Sequence, residues 1–145
     1  MQADRARSVK RGLMVAAGLF VAAQLVPYGR DHTNPPVGKT PEWDSDATRQ
    51  LAERACFDCH SNQTHWPWYS NVAPVSWLVT RDVNKGRSAV NFTELQYKQR
   101  RTKDASDQVR DGEMPLWFYA ILHPKAQLTA AERKALADGL EHTFE

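Results

Sequence analysis

The sequence predicts an all-α fold, preceded by a separate apolar segment at the N-terminus. Two stretches, residues 44–55 and 129–144, carry apolar side chains at helical spacing, and each begins with residues that cap helices. No βαβ pattern accompanies them, and the only two cysteines of the chain lie just after the first stretch. We therefore expect one helical domain over residues 44–145, with about a hundred residues to build its core.

The N-terminal segment, residues 1–28, combines cations with an uncharged apolar run. Four cations and one carboxylate give the first eleven residues a net charge of +3, which leaves −1 for the rest of a chain whose total is +2. Cations before the apolar run, residues 12–28, predict an N-terminus in the cytoplasm and a domain outside it. The run lies between the length of an export-signal core and the ~20 residues of a membrane span. We expect an uncleaved single-pass anchor, with a signal cleaved after Ala23 as the alternative.

Residues 29–43 are predicted to form a linker between the anchor and the domain. Three prolines and two glycines within them work against regular structure. The run Asn34-Pro35-Pro36 favours a stiff, extended conformation, which would hold the domain near the membrane surface.

The basic character of the chain comes from its N-terminus, so that we expect no nucleic-acid partner. The nearest candidate for a basic face is a cluster of four cations in the second half of the chain. We interpret it as a solvated helix face, with a docking patch for an acidic partner as the alternative. The cluster comprises Lys98, Arg100, Arg101 and Lys103.

The first helix of the domain is predicted to lead directly into the cysteines. Asp44 or Ser45 can cap it, and Ala47, Leu51 and Ala55 recur every four residues to form one apolar stripe. Such a helix would hold the residues that follow it at a fixed angle in the core.

Cys56 and Cys59, followed at once by His60, form the pattern of c-type haem attachment. In such a site each thiol adds to one vinyl group of the porphyrin, and the histidine binds the iron. On a helical turn, positions three and four apart share a face, so that all three side chains can reach one side of a ring. The pattern predicts one covalent haem c in the core, with His60 as an axial ligand.

Three other uses of the two cysteines are less consistent with the sequence. A zinc site would need His65 as a fourth ligand, because no second pair of cysteines exists. A thioredoxin-like dithiol would need a βαβ setting. A disulfide across two intervening residues would be strained and would close a very short loop.

The segment after the motif is rich in tryptophan and proline, which predicts turns instead of a long helix. We expect Trp66, Trp68 and Tyr69 to pack on a porphyrin face or edge, because so many rings need a large, flat apolar partner. An ordinary aromatic core is the alternative. A backbone carbonyl, of Pro67 or Pro74, is expected to bind the second nitrogen of the ligating histidine.

Two further helices are predicted between residues 77 and 110. The first runs from Trp77 to Asp82. Its Arg81, or the later Arg87, is a candidate partner for a haem propionate, with a solvated surface charge as the alternative. The second is an exposed polar helix over residues 94–110, capped by Thr93.

Met114 is predicted to be the sixth ligand of the iron. It lies alone in a polar turn, where a methionine has no evident packing role. Its thioether is a soft, neutral ligand that suits haem iron and raises its reduction potential. The other two methionines, Met1 and Met14, lie in the export segment. His123, His65 and an empty position are the alternatives.

The C-terminal part combines an apolar block with the last helix. Residues 117–122 are predicted to cover the haem pocket. Thr129 with Glu132 forms a capping box, so that the last helix should run from about Ala130 to Phe144. Its apolar stripe consists of Leu136, Leu140 and Phe144.

Several longer motifs carry a family resemblance. They are Cys56-Phe57-Asp58-Cys59-His60-Ser61-Asn62, Trp66-Pro67-Trp68-Tyr69-Ser70, Ala73-Pro74-Val75-Ser76-Trp77, Asn91-Phe92, Gly112-Glu113-Met114-Pro115 and His123-Pro124. With them the sequence resembles, over about residues 34–142, the bacterial haem-binding domain family of small monohaem, cytochrome c-like proteins. Members commonly carry one N-terminal membrane segment. In cytochrome c-like folds the first and last helices cross, which would bring Ala47, Leu51 and Ala55 against Leu136 and Leu140.

These observations lead us to expect an electron carrier and not an enzyme in its own right. It would transfer single electrons between redox proteins on the outer face of the cytoplasmic membrane, with a respiratory or photosynthetic membrane complex as a candidate partner. A ligand-binding haem protein, such as a sensor or small peroxidase, and a structural haem subunit of a larger complex are the alternatives.

Overall fold

The computed structural model describes residues 2–97, 99 and 101–145. In these residues the secondary structure is helical throughout, without a β-strand, which confirms the all-α prediction. Short 3₁₀ helices at Trp68–Asn71 and Pro124–Ala126 supplement the α-helices. The α-helices are α1 (Gln2–Gln24), α2 (Asp46–Ala55), α3 (Phe57–His60), α4 (Val75–Ala89), α5 (Ala105–Arg110), α6 (Trp117–Leu122) and α7 (Ala130–Phe144).

The chain forms two compact units. The first comprises the residues up to His32 together with Trp66–Arg81, and the second comprises Thr33–His65 and Asp82–Glu145. In the first unit the Gln24 side chain bonds both backbone groups of Ala73, at 2.9 and 3.0 Å. Among the described helices, none has the length and apolar character needed to cross a bilayer.

The predicted linker lacks regular structure, but its second part is held within the second unit. Gly38 N donates to the carbonyl of Thr93 at 2.8 Å, and Leu95 N donates to the carbonyl of Lys39 at 2.9 Å. The Asn62 side chain also donates to the carbonyl of Pro36 at 2.8 Å. Residues 36–39 therefore line the loop that follows α4.

Helix α2 begins as predicted, but its buried face matches the predicted stripe only in part: Ala55 is buried and Leu51 is partly buried. Ser45 is the N-cap and its hydroxyl accepts a hydrogen bond from Thr48 N. The buried residues are Thr48, Ala52 and Ala55, whereas Ala47 is exposed. The reason is the crossing with α7, where a Cβ on Gly139 would overlap the Thr48 side chain. This close approach turns Thr48 inward and moves Ala47 about 100° away from the contact.

Helix α7 confirms the prediction for the last helix. It runs over Ala130–Phe144, and Thr129 and Glu132 form the complete capping box. Leu136 and Leu140 are fully buried, and Phe144 is partly buried against the same core. The core of the second unit consists of Ala52, Phe57, Val90, Phe92, Val109, Leu136, Ala137 and Leu140.

Two predicted helices differ from the structure. The one expected at residues 77–82 is part of the longer α4, since no proline follows Pro74 before Ala89. The one expected over residues 94–110 is helical only from Ala105. Before it, the Gln99 side chain donates to the carbonyls of Asn91 and Glu94, and it accepts a bond from Asn91 N. These side-chain bonds hold a turn where a helix was expected. Within the predicted basic cluster, Lys98 and Arg100 lie outside the described residues.

Candidate functional site

A cavity of about 470 Å³ lies in the second unit and is lined by four of the eight predicted site residues, the two cysteines, His60 and Met114. Its volume falls within the range of about 300–1,000 Å³ that is typical of cofactor sites. A smaller cavity of about 100 Å³ adjoins it and shares Cys56, His60 and Met114 with it. The smaller one is lined in part by the core residues Val90, Phe92, Val109 and Leu140. The larger is lined by Ala55, Cys56, Cys59, His60, Asp82, Lys85, Gly86, Ala89, Arg101, Met114, Pro115, Leu116 and Tyr119.

The two cysteines and His60 meet in this cavity because the chain makes one helical turn after α2. Cys59 N and His60 N both donate to the carbonyl of Cys56, at 3.1 and 2.9 Å. This turn places the three side chains on the same lining, as their spacing predicts. Both thiols are free.

The environment of the thiols keeps them uncharged. Burial raises the pKa of Cys56 and that of Cys59 to about 12. The negative charges of Asp58 and Asp82 are smaller causes of the raised pKa of Cys59. At neutral pH both groups are therefore protonated thiols in an apolar lining.

The imidazole of His60 is oriented by a backbone carbonyl. Its Nδ1 lies 3.0 Å from the carbonyl oxygen of Val90, and since a carbonyl only accepts, Nδ1 carries the hydrogen. Burial lowers the pKa of His60, against the opposing effect of backbone hydrogen bonds with Val90 and Gly86. The neutral ring then has the lone pair of Nε2 available for a metal. The prediction that Pro67 or Pro74 supplies this carbonyl is wrong, because α4 brings Val90 to the ring.

A buried polar network holds the loop that contains Val90, and sequence reasoning missed it. Phe92 N donates to the carbonyl of His60 at 2.8 Å. The loop therefore binds the backbone of His60 as well as its ring. Asn91 donates to the Asn62 side chain at 2.8 Å, and both donate to the carboxylate of Glu94. The sequence motifs do contain both Asn62 and Asn91. Their contact could not be predicted, because the two residues are 29 positions apart in the chain.

Met114 lines both cavities and lies outside the helices, between α5 and α6. It follows the turn after α5, where its N–H donates to the carbonyl of Gln108 at 3.0 Å. Its own carbonyl accepts a bond from Arg133 at 3.1 Å, and Arg133 also binds the carbonyl of Val109. The backbone of Met114 is thus fixed by α5 and α7, and its thioether shares a cavity with His60.

The alternative ligands are placed differently. The side chain of His65 is 95% exposed, with Nδ1 3.5 Å from a carboxylate oxygen of Asp58. The ring of His123 stacks on Tyr119 at 4.1 Å, and neither histidine lines the cavity. In the described part of the chain, no three His, Cys, Asp or Glu side chains converge on a metal position.

Tyr119 is a second residue that sequence reasoning missed. Its hydroxyl donates to Asp58 Oδ2 at 2.7 Å, and Asp58 lies between the two cysteines. Burial, together with the bond to Asp58, raises the pKa of Tyr119. Tyr119 lines the cavity. It was hidden in the sequence because it lies within an apolar block.

The apolar block covers the cavity less completely than predicted. Leu116 and Tyr119 line it, but the four largest apolar side chains of α6 point away from it. Trp117 is 73% exposed, and Phe118, Ile121 and Leu122 are exposed as well. On a helix these four positions share one face, opposite to Leu116 and Tyr119.

The arginine predictions have different outcomes. Arg87 donates to the carbonyl of Ser61 at 2.8 Å, to Thr64 Oγ1 at 2.9 Å and to the Asn34 side chain. It thereby supports the segment after the motif. Arg81 is exposed and belongs to the first unit, so that its pairing with a propionate stays a prediction. Among the described residues, the cations that line the cavity are Lys85 and Arg101.

The three aromatic residues predicted to contact a porphyrin lie in the first unit. Trp66 stacks on the ring of His32, with centroids 4.6 Å apart. Trp68 is 78% exposed and touches Tyr69 edge to face at 5.9 Å. Their contact with a haem stays a prediction.

The cavity residues fit a haem. Two free thiols, a neutral imidazole with one nitrogen available and a thioether share a lining that is mostly apolar. This donor set suits iron in a porphyrin, and it differs from the four-ligand sets of structural zinc.

Comparison with known proteins agrees with this chemistry. A family model described as haem-binding domain matches residues 18–142. No curated protein and no solved structure matches the chain. Because the family model covers most of the sequence, the chain belongs to the haem-binding domain family.

Proposed function

We propose that the protein is a monohaem c-type cytochrome that carries single electrons. Cys56 and Cys59 would hold the haem through thioether bonds, and His60 and Met114 would be its axial ligands. The observation that supports this best is the convergence of all four side chains on one cavity. No other described histidine reaches that lining.

In this proposal the residues of the chain mainly bind the haem and orient its ligands. When bound, a haem supplies an iron that gains and loses one electron. The carbonyl of Val90 fixes the orientation of His60, and a mostly apolar lining surrounds the site. A thioether ligand favours the reduced state and raises the reduction potential. Such transfer needs no acid–base residue, so that we propose a carrier and not an enzyme.

The proposed location follows from the sequence. The cations before residues 12–28 favour export of the domain, which is consistent with haem attachment to cysteines outside the cytoplasm. We propose attachment to the outer face of the cytoplasmic membrane through this segment. Redox proteins, including a respiratory or photosynthetic membrane complex, are the proposed partners. Release of the full chain from washed membranes by alkali alone would contradict the anchor.

The central test is production of the full chain in cells that attach haem to exported cysteines. We expect an intact mass increased by one haem, a low-spin spectrum and the long-wavelength band of a methionine–ferric iron bond. The matched control is the Cys56→Ala/Cys59→Ala variant, which should lack the added mass. A colourless protein without added mass would contradict the proposal, and a high-spin spectrum would favour a ligand-binding haem protein instead.

A further inference from the structure

The segment that carries Met114 continues into α6, and packing alone fixes this helix weakly. Its outward face is exposed, with Trp117 at 73% and Leu122 at 63%. The inward face contributes only Leu116 and Tyr119 to the cavity lining. Another interaction must therefore determine how closely α6 approaches the site.

That interaction is the hydrogen bond from Tyr119 to Asp58. It joins residues 61 positions apart at 2.7 Å, and it is charge-assisted because its acceptor is a carboxylate. In the part of the chain that the structure describes, it is the hydrogen bond that connects α6 with α3. It joins the cysteine turn to the helix that follows the segment of Met114.

Asp58 is itself held by hydrogen bonds, so that its bond to Tyr119 can fix the position of α6. Its Oδ1 accepts a hydrogen bond from His65 N at 2.9 Å. Its backbone carbonyl accepts one from Thr64 Oγ1 at 2.7 Å. On the other side, the ring of Tyr119 stacks on His123, at the C-terminal end of α6.

We propose that Tyr119 is a positioning residue for the sixth ligand: its bond to Asp58 holds residues 114–122 against the cysteine turn and keeps Met114 at the iron. The inference rests on the proposed function, since it assumes Met114 as an axial ligand. The backbone ties of Met114 to Gln108 and Arg133 fix one end of the segment, and the Tyr119–Asp58 bond fixes the other.

The bond should control how readily an external ligand reaches the site. A small ligand can bind only when Met114 has left, and departure of Met114 requires this segment to open. Loss of one charge-assisted hydrogen bond typically raises the population of an opened state by about tenfold to a hundredfold. The packing of Tyr119 is retained when only its hydroxyl is removed.

The test is the rate at which imidazole binds to the ferric, haem-loaded full chain, followed by the disappearance of the methionine–iron band. We expect Tyr119→Phe to retain its haem and the band and to bind imidazole about tenfold faster or more. Asp58→Asn, which keeps an acceptor but removes its charge, should give a smaller increase. The matched control is Tyr97→Phe, because Tyr97 is 65% exposed and outside the cavity lining.

The outcomes separate this inference from the proposed function. Unchanged imidazole rates in both Tyr119→Phe and Asp58→Asn, with a normal band in the native protein, would overturn the role of Tyr119 alone. Absence of the methionine–iron band from the native protein would overturn both proposals. If Tyr119→Phe yields no folded protein, the rate measured for Asp58→Asn decides.

Discussion

At the scale of single residues, the candidate site depends on partners that are distant in sequence. His60 is oriented because the carbonyl of Val90, thirty residues later, binds its Nδ1, and it is neutral because burial lowers its pKa. Met114 is fixed through its backbone by Arg133. The four side chains proposed to bind the haem were therefore predictable, whereas the groups that orient them were not. This is why the histidine motif could be found from spacing, but Val90 could not.

The clearest prediction at this scale concerns Met114. We expect Met114→Ala to keep its covalent haem, since thioether attachment does not depend on the sixth ligand. The variant should lose the methionine–iron band and show a lower reduction potential, because the soft neutral ligand is gone. Absorption spectroscopy and redox titration measure both. The control is Met14→Ala, which replaces a methionine in α1. An unchanged spectrum in Met114→Ala would mean that another residue is the sixth ligand.

At the scale of secondary-structure elements, glycine determines how closely helices approach the site. In α4, a Cβ on Gly86 would overlap the backbone carbonyl of Cys59. Because backbone cannot move aside as a flexible side chain can, α4 can hold Val90 beside His60 only if residue 86 has no side chain. The same principle applies to Gly139 at the crossing of α2 and α7.

We therefore expect Gly86→Ala to lower the free energy of unfolding by about 1–3 kcal/mol, the usual cost of overpacking. It should also reduce the fraction of chains that carry haem, since the cysteine turn must shift. Denaturant unfolding and the ratio of haem to protein absorbance measure the two effects. Gly18→Ala is the matched control, because nothing lies within 4 Å of a Cβ at that position in α1. Equal stability of the two variants would contradict the close contact.

The N-terminus of α7 leads to a prediction about pH. The backbone hydrogen bond with Thr129, followed by the hydrogen bond from Arg54, lowers the pKa of Glu132 to about 2. A lowered pKa stabilises the folded state above the ordinary value of 4.5, and this stabilisation is lost as the pH falls through about 2. Glu132→Gln should therefore unfold more easily than the native protein at pH 7.

The difference between Glu132→Gln and the native protein should shrink as the pH falls from about 4.5 toward 2. Denaturant unfolding at several pH values measures it. The control is Glu113→Gln, an exposed glutamate outside any described ion pair, which should behave like the native protein throughout. A difference that persists unchanged at pH 2 would be inconsistent with a charge effect of Glu132.

At the scale of the whole molecule, the second unit contains a cavity of about 470 Å³ beside its hydrophobic core. Its largest buried apolar residues are Phe57, Phe92, Leu136 and Leu140. A bound group that fills the cavity would supply contacts that the chain itself does not make. Folding and haem binding should therefore be linked.

This linkage predicts the effect of removing the haem. We expect the Cys56→Ala/Cys59→Ala variant, without covalent haem, to melt at a lower temperature than the haem-loaded protein. The loss should exceed the about 4–8 °C that 1 kcal/mol produces in a domain of this size. Calorimetry or circular dichroism measures it, and adding free haem to the variant should recover part of the difference. Equal melting temperatures would mean that the cavity does not contribute to folding.

The sequence alone determined the features that rest on neighbouring residues. It placed the capping box of Thr129 and Glu132, the Ser45 cap and the shared face of Cys56, Cys59 and His60, because each depends on spacing within one helical turn. It also singled out Met114 as a candidate ligand, because a methionine is unusual in a polar turn, and Met114 lines the same cavity as His60.

Only the tertiary structure decided which face of α2 is buried, which carbonyl orients His60 and what holds α6. Thr48 is buried because Gly139 lies against it, and Tyr119 faces the cavity because Asp58 binds its hydroxyl. Each of these is a contact between residues far apart in the chain. Periodicity reports the local conformation of a segment, whereas the burial of one helix face depends on a neighbour that the segment does not contain.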